Sequence, residues 1–452
     1  MTDINSRFEK LGVSIPQVLL PKKDIELDKW AVVACDQYTS QPEYWDGVQQ
    51  MVGEQPSTFH LIFPEIYLER EDMDERIQRI NRSMEEYLEK EILAPQSPGF
   101  VYVERQVCGD RVRRGLMVAL DLDRYEYTRG SGALIRATED TVVKRLPPRI
   151  KIRQNALLEL PHILVLVDDP EKTVIEPLTA NKEKPEKIYE TRLMMNGGNI
   201  CGYLVTDDGM LTGIMAAIEK LSGPENFCRK YSLPGGTAPM LFAVGDGNHS
   251  LASAKAHWQN VRESIPPEER KNHPARFALV ELVNVHDEGL EFEPIHRVLF
   301  SVNPGDVLSN MLSFMNESFG VRCRLLPRRC GESTLQTASV GEGCQIIPYV
   351  YGENDGAVLV ENPKHNLEVG TLQCFLDDYL GRNPAASIDY IHGEDVVRSL
   401  TQKGDALGFL LPPMNKHDLF KTVILDGALP RKTFSMGEAH EKRFYLECRK
   451  IR

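Results

Sequence analysis

The segment with the clearest potential for chemistry is a glycine-rich loop in the middle of the chain, which runs from Gly245 to Ser250 with the sequence Gly-Asp-Gly-Asn-His-Ser. An apolar run, residues 240–244, precedes the loop, and an alanine-rich segment, residues 251–256, follows it. This order predicts a strand, a tight turn and a helix. The first turn of a helix leaves backbone N–H groups unpaired and carries partial positive charge, so the loop is suited to hold a phosphate.

The polar side chains of the loop each have a chemical use at such a site. Asp246 is suited to bind Mg²⁺ or to accept a proton, and His249 to act as acid, base or phosphate donor. The remaining loop residues are predicted to bind phosphate or substrate, and they are Gly245, Gly247, Asn248 and Ser250. Asp-Gly and Gly-Asn are also ordinary turn dipeptides, so a purely structural turn is the alternative. The loop is not a P-loop, because no Gly-Lys-Ser/Thr follows.

Further candidates lie outside the loop. Arg136 and Glu139 are three residues apart, and they offer an anion ligand and a general base, or simply an ion pair. His296 and Arg297 follow a predicted strand and a proline. They offer a proton donor and an anion ligand, or a structural pair at the end of that strand. The segment Asp36-Gln37-Tyr38 ends another predicted strand and is a third candidate.

The composition limits the class of protein. The chain has 452 residues, of which 42% are hydrophobic and 26% charged, as in globular proteins. A formal net charge of −13 argues against a broad nucleic-acid surface. The basic cluster from Lys144 to Arg153 is either an electropositive rim or a solvated face. With neither a signal peptide nor a long apolar run, we expect a soluble, cytoplasmic protein without a membrane partner.

The predicted elements alternate between helix and strand. Apolar residues at helical spacing predict a helix over residues 74–93, and residues 251–261 predict a second. Residues 30–35 predict a buried strand, and residues 100–106 and 113–122 a hairpin that turns at Cys108-Gly109-Asp110. We therefore expect an α/β or α+β fold with mixed sheets. We expect three segments: 1–130, 131–300 with the loop, and 301–452.

Several motifs in the same order resemble one prokaryotic family, the domain of unknown function number 1015. The loop resembles that family's Asp-Gly-His-His-Arg box, and residues 135–141 resemble its Arg-Pro-His-Glu-x-Thr segment. Residues 294–297 resemble its Pro-Thr-His-Arg motif. Residues 408–413 and 430–433 resemble its two proline-containing C-terminal segments. Together with the strand near residue 28, the matches extend over residues 28–450.

The resemblance implies a fold and a type of chemistry. The box is similar to that of ParB/sulfiredoxin-like proteins, which include partition-protein nucleotidases and free serine kinases. In those proteins it begins a helix and contacts nucleotide phosphates. We therefore expect an elaborated ParB/sulfiredoxin-like core with added β and helical segments. This chain departs from the box at Asn248, which replaces the first His, and at Ser250, which replaces the Arg that would bind phosphate in a bidentate manner.

The leading hypothesis is an enzyme that handles phosphate, either a nucleotide-dependent small-molecule kinase or a phosphotransferase acting on serine or phosphoserine. ATP or ADP and Mg²⁺ are the expected cofactors, with Asp246 at the metal and Glu139 as the base. His249, Arg136 and Arg297 would neutralise charge, and His296 would contact the substrate. One alternative is a non-catalytic regulatory protein that binds a nucleotide or metabolite, and another is a ParB-like DNA-associated protein. The sequence leaves open whether the chain forms a homo-oligomer.

Overall fold

The computed structural model describes residues 2–107, 109–327 and 343–452. The chain divides into two compact units, of which the first comprises Met1–Glu291 with Met436–Arg452 and the second Phe292–Ser435. Cys108 of the predicted turn lies outside the described residues. Within the described ranges, no helix combines the length and the apolar character needed to cross a membrane.

Helices and strands are numbered in chain order. The α-helices are α1 (Thr2–Lys10), α2 (Leu27–Trp30), α3 (Pro42–Val52), α4 (Met73–Glu89), α5 (Leu146–Gln154), α6 (Glu176–Ala180), α7 (Asp208–Ser222), α8 (Pro224–Tyr231), α9 (Asn248–Ser264), α10 (Pro267–Arg270), α11 (Pro304–Phe314), α12 (Glu368–Arg382), α13 (Glu394–Leu400) and α14 (Leu419–Asp426). The strands are β1 (Val13–Ser14), β2 (Leu19–Pro21), β3 (Val32–Val33), β4 (Leu93–Pro95), β5 (Phe100–Gln106), β6 (Val112–Asp121), β7 (Tyr125–Glu126), β8 (Ile135–Ala137), β9 (Leu158–Glu159), β10 (Leu164–Val167), β11 (Glu186–Leu193), β12 (Gly198–Val205), β13 (Phe242–Asp246), β14 (Phe277–Asn284), β15 (Phe292–Pro294), β16 (His296–Phe300), β17 (Cys323–Pro327), β18 (Cys344–Tyr351), β19 (Asn354–Glu361), β20 (Ser387–Ile391), β21 (Ala406–Phe409), β22 (Phe434–Met436), β23 (Phe444–Tyr445) and β24 (Arg449–Lys450).

A ten-stranded mixed sheet forms the centre of the first unit. Its strand order is β11-β12-β5-β6-β14-β10-β13-β8-β7, and β1 also pairs with β6. Strand β10 is parallel to β14 and antiparallel to β13, whereas β13 and β7 are each parallel to β8. This arrangement confirms the predicted fold class with mixed sheets. The predicted boundary at residue 130 runs through this sheet, because strands on both sides of that position belong to it.

Both faces of this sheet are buried, as the alternation of side chains along β5 demonstrates. Phe100 and Tyr102 belong to one apolar cluster, whereas Val101 and Val103 belong to another. Successive side chains of a strand point to opposite faces, so each cluster covers one face. Helices α7 and α9 contribute to the first cluster, and α3 and α4 to the second.

The second unit is built around a six-stranded sheet. Its order is β17-β19-β18-β21-β16-β20, and every pair in it is antiparallel. Helices α11 and α12 pack on it through buried side chains that include Met311, Leu372 and Phe375. The predicted boundary near residue 300 therefore falls inside this unit, which begins at Phe292.

The local predictions succeed where the pattern is long and periodic. The hairpin β5–β6 and helices α4 and α9 are confirmed. Helix α4 ends at Glu89 rather than near residue 93, because Glu91 adopts a φ of 52° that a right-handed helix cannot continue. The strand predicted over residues 30–35 is confirmed only at its centre, since α2 ends at Trp30 and β3 comprises only Val32–Val33.

The end of the chain passes back through the first unit. Strand β23 pairs with β3, and β24 pairs with β9, both antiparallel. Trp30 fixes the same segment by donating its indole N–H to the Leu446 carbonyl at 3.0 Å. These contacts bring residues 442–445 to the edge of the sheet at which β13 ends.

Candidate functional site

The loop has the predicted form of strand, turn and helix. Strand β13 ends at Asp246, Gly247 adopts a φ of 79°, and α9 begins at Asn248. A Cβ on Gly247 would lie 3.0 Å from the Ile163 Cγ1 and 3.2 Å from its Cα. Both the left-handed backbone and the close contact therefore require glycine at this position.

The first turn of α9 presents backbone N–H groups without a side-chain cap. Its N-cap, Gly247, has no side chain that could cap the turn, and the first intrahelical bond runs from the Leu251 N–H to the Gly247 carbonyl at 3.0 Å. The side-chain oxygen of Asn248 is buried and has no hydrogen-bond partner among the described residues. With seventeen residues behind it, this helix end carries the positive end of a macrodipole. It is therefore suited to an anionic ligand.

A lysine from the C-terminal segment lies at the same turn. The Lys442 Nζ is 3.0 Å from the Asp246 Oδ2, and the lysine side chain is only 7% exposed against 26% for the carboxylate. The other oxygen, Oδ1, accepts the Gly247 N–H at 3.1 Å. Lys442 thus supplies a positive charge beside the loop, in a chain where Ser250 replaces the arginine of the box.

Ser250 is linked to a histidine and a tyrosine. The His162 Nε2 lies 2.9 Å from the Ser250 Oγ, and the His162 Nδ1 lies 2.8 Å from the Tyr445 hydroxyl. That hydroxyl accepts the Cys35 N–H at 3.1 Å, and burial raises the pKa of Tyr445 far above its usual value. When the ring is neutral, the tyrosine therefore donates to Nδ1 and Nε2–H donates to Ser250; when the ring is cationic, both of its N–H groups donate. The serine O–H is left to donate to a ligand.

The position of His162 follows from strand register. In the antiparallel pair β10–β13, Leu164 lies opposite Asp246. His162 comes two residues before the start of β10, so it lies at the edge where the loop leaves the sheet. The histidine therefore contacts the loop although His162 and Gly245 are 83 positions apart in the sequence.

Two further carboxylates belong to this cluster. Burial alone would raise the pKa of Asp36, but the cationic form of His162, the hydrogen bond from Gln37 and the charge of Lys442 together lower it. Burial and the charge of Asp36 raise the pKa of Glu65 even though Arg149 opposes the shift. Arg149 forms a bidentate pair with Glu65, with N–O distances of 2.8 and 2.5 Å. The site thus holds one readily ionised carboxylate beside one that retains its proton more strongly.

Two of the predicted site residues, His249 and Glu139, lie at or near this turn. The His249 Nε2 accepts the Val142 N–H at 3.2 Å, so residues near 142 contact the start of α9. In the parallel pair β8–β13, Ala137 lies opposite Val244. Glu139 follows Ala137 by two residues, as Asp246 follows Val244. Register thus places Glu139 at the same edge of the sheet as Asp246.

The structure does not bring Arg136 to the loop. Its guanidinium donates to the carbonyls of Ala133, at 2.8 Å, and Ala238, at 3.0 Å. Both carbonyls precede the strands β8 and β13, whereas the loop follows β13. The side chain therefore lies at the opposite end of these strands from the loop.

His296 and Arg297 lie on β16 in the second unit, whereas the loop belongs to the first. Arg297 is fully buried and donates to the Gln373 Oε1 at 3.4 Å and to the Arg431 carbonyl at 3.2 Å. The His296 Nδ1 accepts the Leu411 N–H at 3.1 Å. These contacts stabilise β16 within its own unit, and the substrate-binding role of both residues stays a prediction.

The site contains residues that sequence reasoning did not select, namely Glu65, Arg149, His162, Lys442 and Tyr445. Arg149 lies in the basic cluster that was predicted to be either an electropositive rim or a solvated face. Its ion pair with Glu65 does not decide between these two predictions. His162 is the first residue of the largely apolar run at residues 162–167, which was its only local signal. Lys442 and Tyr445 carried no local signal, because the C-terminal segment reaches the loop only through tertiary pairing.

The donor set limits what metal chemistry the site supports. Among the described residues, no group of three or more His, Cys, Asp and Glu side chains is placed to hold a metal ion. Mg²⁺ is commonly held by one or two carboxylates together with substrate phosphates and water. Asp246 and Asp36, which both interact with Lys442, fit that lesser role.

Comparison with known proteins identifies a family without an assigned activity. The profile of the family described as "Protein of unknown function (DUF1015)" matches residues 19–379. No curated protein matches the chain.

Solved structures give weaker likenesses. A free serine kinase variant in complex with AMP has a TM-score of 0.40 at 11% identity, covering 76% of this chain and 95% of that one. A variant in complex with ADP has a TM-score of 0.39 at 12% identity, with coverage of 76% and 95%. A conserved hypothetical protein from Pyrococcus furiosus has a TM-score of 0.35 at 12% identity, with coverage of 73% and 90%. Likenesses at these scores establish neither a shared fold core nor a shared activity.

Proposed function

This chain belongs to the DUF1015 family of proteins of unknown function, and we propose that it is a phosphoryl-transfer enzyme. The proposed reaction moves a phosphoryl group between a nucleotide, ATP or ADP, and the hydroxyl group of a small molecule. The observation that carries the proposal is the first turn of α9, which begins at a glycine N-cap and has Lys442 beside it. Backbone N–H groups, a helix dipole and a nearly buried cation together favour a phosphate group.

Each side chain at the turn has a role in this proposal. The N–H groups of residues 248–250 and the Ser250 hydroxyl donate to phosphate oxygens. Lys442 neutralises charge that develops on the transferred group, as positively charged groups do in phosphoryl transfer. His249 lies in the same turn and contributes a further donor.

A carboxylate must accept the proton of the attacking hydroxyl. Asp36 is one candidate, because it belongs to the cluster and is ionised at neutral pH, although its lowered pKa makes it a weaker base than an ordinary aspartate. Glu139, at the edge of the sheet beside Asp246, is the second possibility. Separate Asp36→Asn and Glu139→Gln variants distinguish them, because loss of the base lowers kcat without a matching rise in KM.

Mg²⁺ would arrive with the nucleotide. Asp246 would hold it directly or through water, and of the two other carboxylates in the cluster Asp36 would assist, because Glu65 is paired with Arg149. When bound, the metal neutralises charge on the phosphates and orients them. The chain's own residues supply the remaining contacts.

The test is product formation. The protein is incubated with Mg²⁺, ATP or ADP, and serine, and phosphate esters are detected by ³¹P NMR and mass spectrometry. Serine is the first acceptor because the loop resembles the box found in free serine kinases. Asp246→Ala and His249→Ala should abolish turnover in a folded protein. Asp208→Ala, an exposed acidic residue in the first turn of α7, is the matched control and should be without effect. Unchanged turnover in Asp246→Ala contradicts the assignment.

A non-catalytic nucleotide- or metabolite-binding protein is the second candidate. The replacement of the box arginine by Ser250 favours it, because a neutral hydroxyl stabilises a transferring phosphoryl group less than a guanidinium does. Saturable binding of ATP or ADP without any phosphorylated product, over a panel of hydroxyl acceptors, would support this candidate over the first.

A further inference from the structure

A cysteine and a histidine form a close pair in the second unit, apart from the loop. Cys374 lies in the second turn of α12, and His365 lies in the segment just before that helix. The Cys374 Sγ is 3.3 Å from the His365 Nε2, which is within hydrogen-bond reach for sulfur. Both residues are partly exposed, so small reagents can approach them.

The surrounding structure fixes the imidazole in this position. The Gln345 side chain donates to the His365 carbonyl at 2.9 Å, and Thr371 donates to the Gln345 Oε1 at 2.6 Å. The ring packs edge-on against Phe319, with centroids 5.9 Å apart. Gly370 gives the histidine room, because a Cβ there would lie 3.0 Å from the His365 Cβ. A nucleophile and a base are therefore present, with the backbone of the base held by Gln345 and its ring packed against Phe319.

We propose that Cys374 is a nucleophilic thiol, activated by His365, that small soft electrophiles modify covalently. The thiol proton passes to the His365 Nε2, which leaves a thiolate beside an imidazolium. With iodoacetamide as the probe, the thiolate sulfur forms a bond to the methylene carbon while the carbon–iodine bond breaks. Iodide leaves and the proton stays on the imidazole. This inference is independent of the phosphoryl-transfer proposal, because it concerns other residues in another unit.

The chain contains its own controls. Cys323 lies in the same unit and is also partly exposed, and burial raises its pKa to about 11. Cys201 is similar in the first unit, where burial and the hydrogen bond to Glu190 raise its pKa to about 11. No histidine contact is described for either thiol. Their alkylation rates therefore serve as the reference for partly buried thiols that no histidine activates.

The experiment measures alkylation of the folded full-length protein at pH 7 by limiting iodoacetamide, with each cysteine quantified by peptide mass spectrometry. Cys374 should react at least about 30-fold faster than Cys323, since the thiolate is the reacting species. In His365→Gln, the rate at Cys374 should fall at least about 10-fold while that at Cys323 is unchanged. Cys374→Ser confirms which peptide carries the label.

Two results would overturn the proposal. The first is equal alkylation rates at Cys374 and Cys323 in the wild-type protein, a comparison that needs no variant to fold. The second is an unchanged rate at Cys374 in a folded His365→Gln protein, with folding checked by circular dichroism.

Discussion

Replacing Lys442 by methionine removes a positive charge that the C-terminal segment places beside the loop, while keeping most of the side-chain volume. The ammonium is 3.0 Å from the Asp246 carboxylate, and the lysine side chain is only 7% exposed. If the loop holds phosphate, this cation contacts the ligand, and its loss should weaken nucleotide binding more than it weakens the fold.

The expected magnitude follows from these contacts. A hydrogen bond to a charged partner contributes about 1.5–3 kcal/mol, which corresponds to a rise in Kd of roughly 10- to 100-fold. The effect on stability is smaller, because the Asp246 side chain remains 26% exposed and water can replace the lost partner. We expect the free energy of unfolding to fall by only about 1 kcal/mol.

Isothermal titration calorimetry with ADP and Mg²⁺ measures the first quantity, and urea denaturation the second. Lys450→Met is the matched control, because Lys450 is exposed and belongs to the same C-terminal segment. It removes the same charge without touching the loop. An equal change in Kd in both variants, or no change in Lys442→Met, would refute a direct role for Lys442 in phosphate binding.

Other residues give sharper tests of the fold around the site. Gly247→Ala should lower the free energy of unfolding by about 1–3 kcal/mol, because of its φ of 79° and the contact with Ile163. Gly213→Ala, in the open interior of α7, should raise it by about 0.5–1 kcal/mol in the same urea titration. Glu281→Gln removes a fully buried carboxylate that pairs with Arg113 at 3.4 Å and Arg443 at 2.9 Å. Arg113 then loses its carboxylate partner and Arg443 retains only Glu447, which should cost about 3–5 kcal/mol; a loss below 1 kcal/mol would contradict the pairing. Asp36 has a lowered pKa, so its ionised form stabilises the fold above its unfolded pKa, and this contribution is lost as the pH falls through the folded pKa. The wild-type protein should therefore have a higher free energy of unfolding than Asp36→Asn at neutral pH, and this difference should shrink only in acid. A difference that stays constant as the pH falls would count against the coupling of Asp36 to His162 and Lys442.

Much of the local architecture could be predicted from the sequence. Helix α4 and the hairpin β5–β6 have long periodic patterns, and the loop has a strand before it and a helix after it. Short elements were less accessible. Val32–Val33 form a strand because β23 pairs with them, and Trp30 belongs to a helix although it lies in an apolar run. Their conformations depend on the C-terminal segment, about which the local sequence carries no information.

The candidate site was only partly predictable for the same reason. The loop residues Asp246, His249 and Ser250 are adjacent in sequence, so their motif was visible. Lys442 and Tyr445 arrive through the pairing of β23 with β3, and His162 arrives through the register of β10 with β13. Arg136 had the right charge but lies at the other end of its strand. Sequence supplies residue types, whereas strand direction and register decide which of them meet.

Phosphate binding at the loop is tested most directly by an ADP titration that follows the amide signals at the start of α9 by ¹H–¹⁵N TROSY NMR. If the loop binds phosphate, the signals of Asn248, His249 and Ser250 should show saturable shifts. The first turn of α7 is the internal control, because the Asp207 side chain already caps it by accepting the Met210 N–H at 2.9 Å. Shifts confined to α9 at the concentration that saturates calorimetric binding would support phosphate binding at the loop. Binding of ADP that leaves the signals of residues 248–250 unchanged, or moves them no more than those of α7, would contradict it.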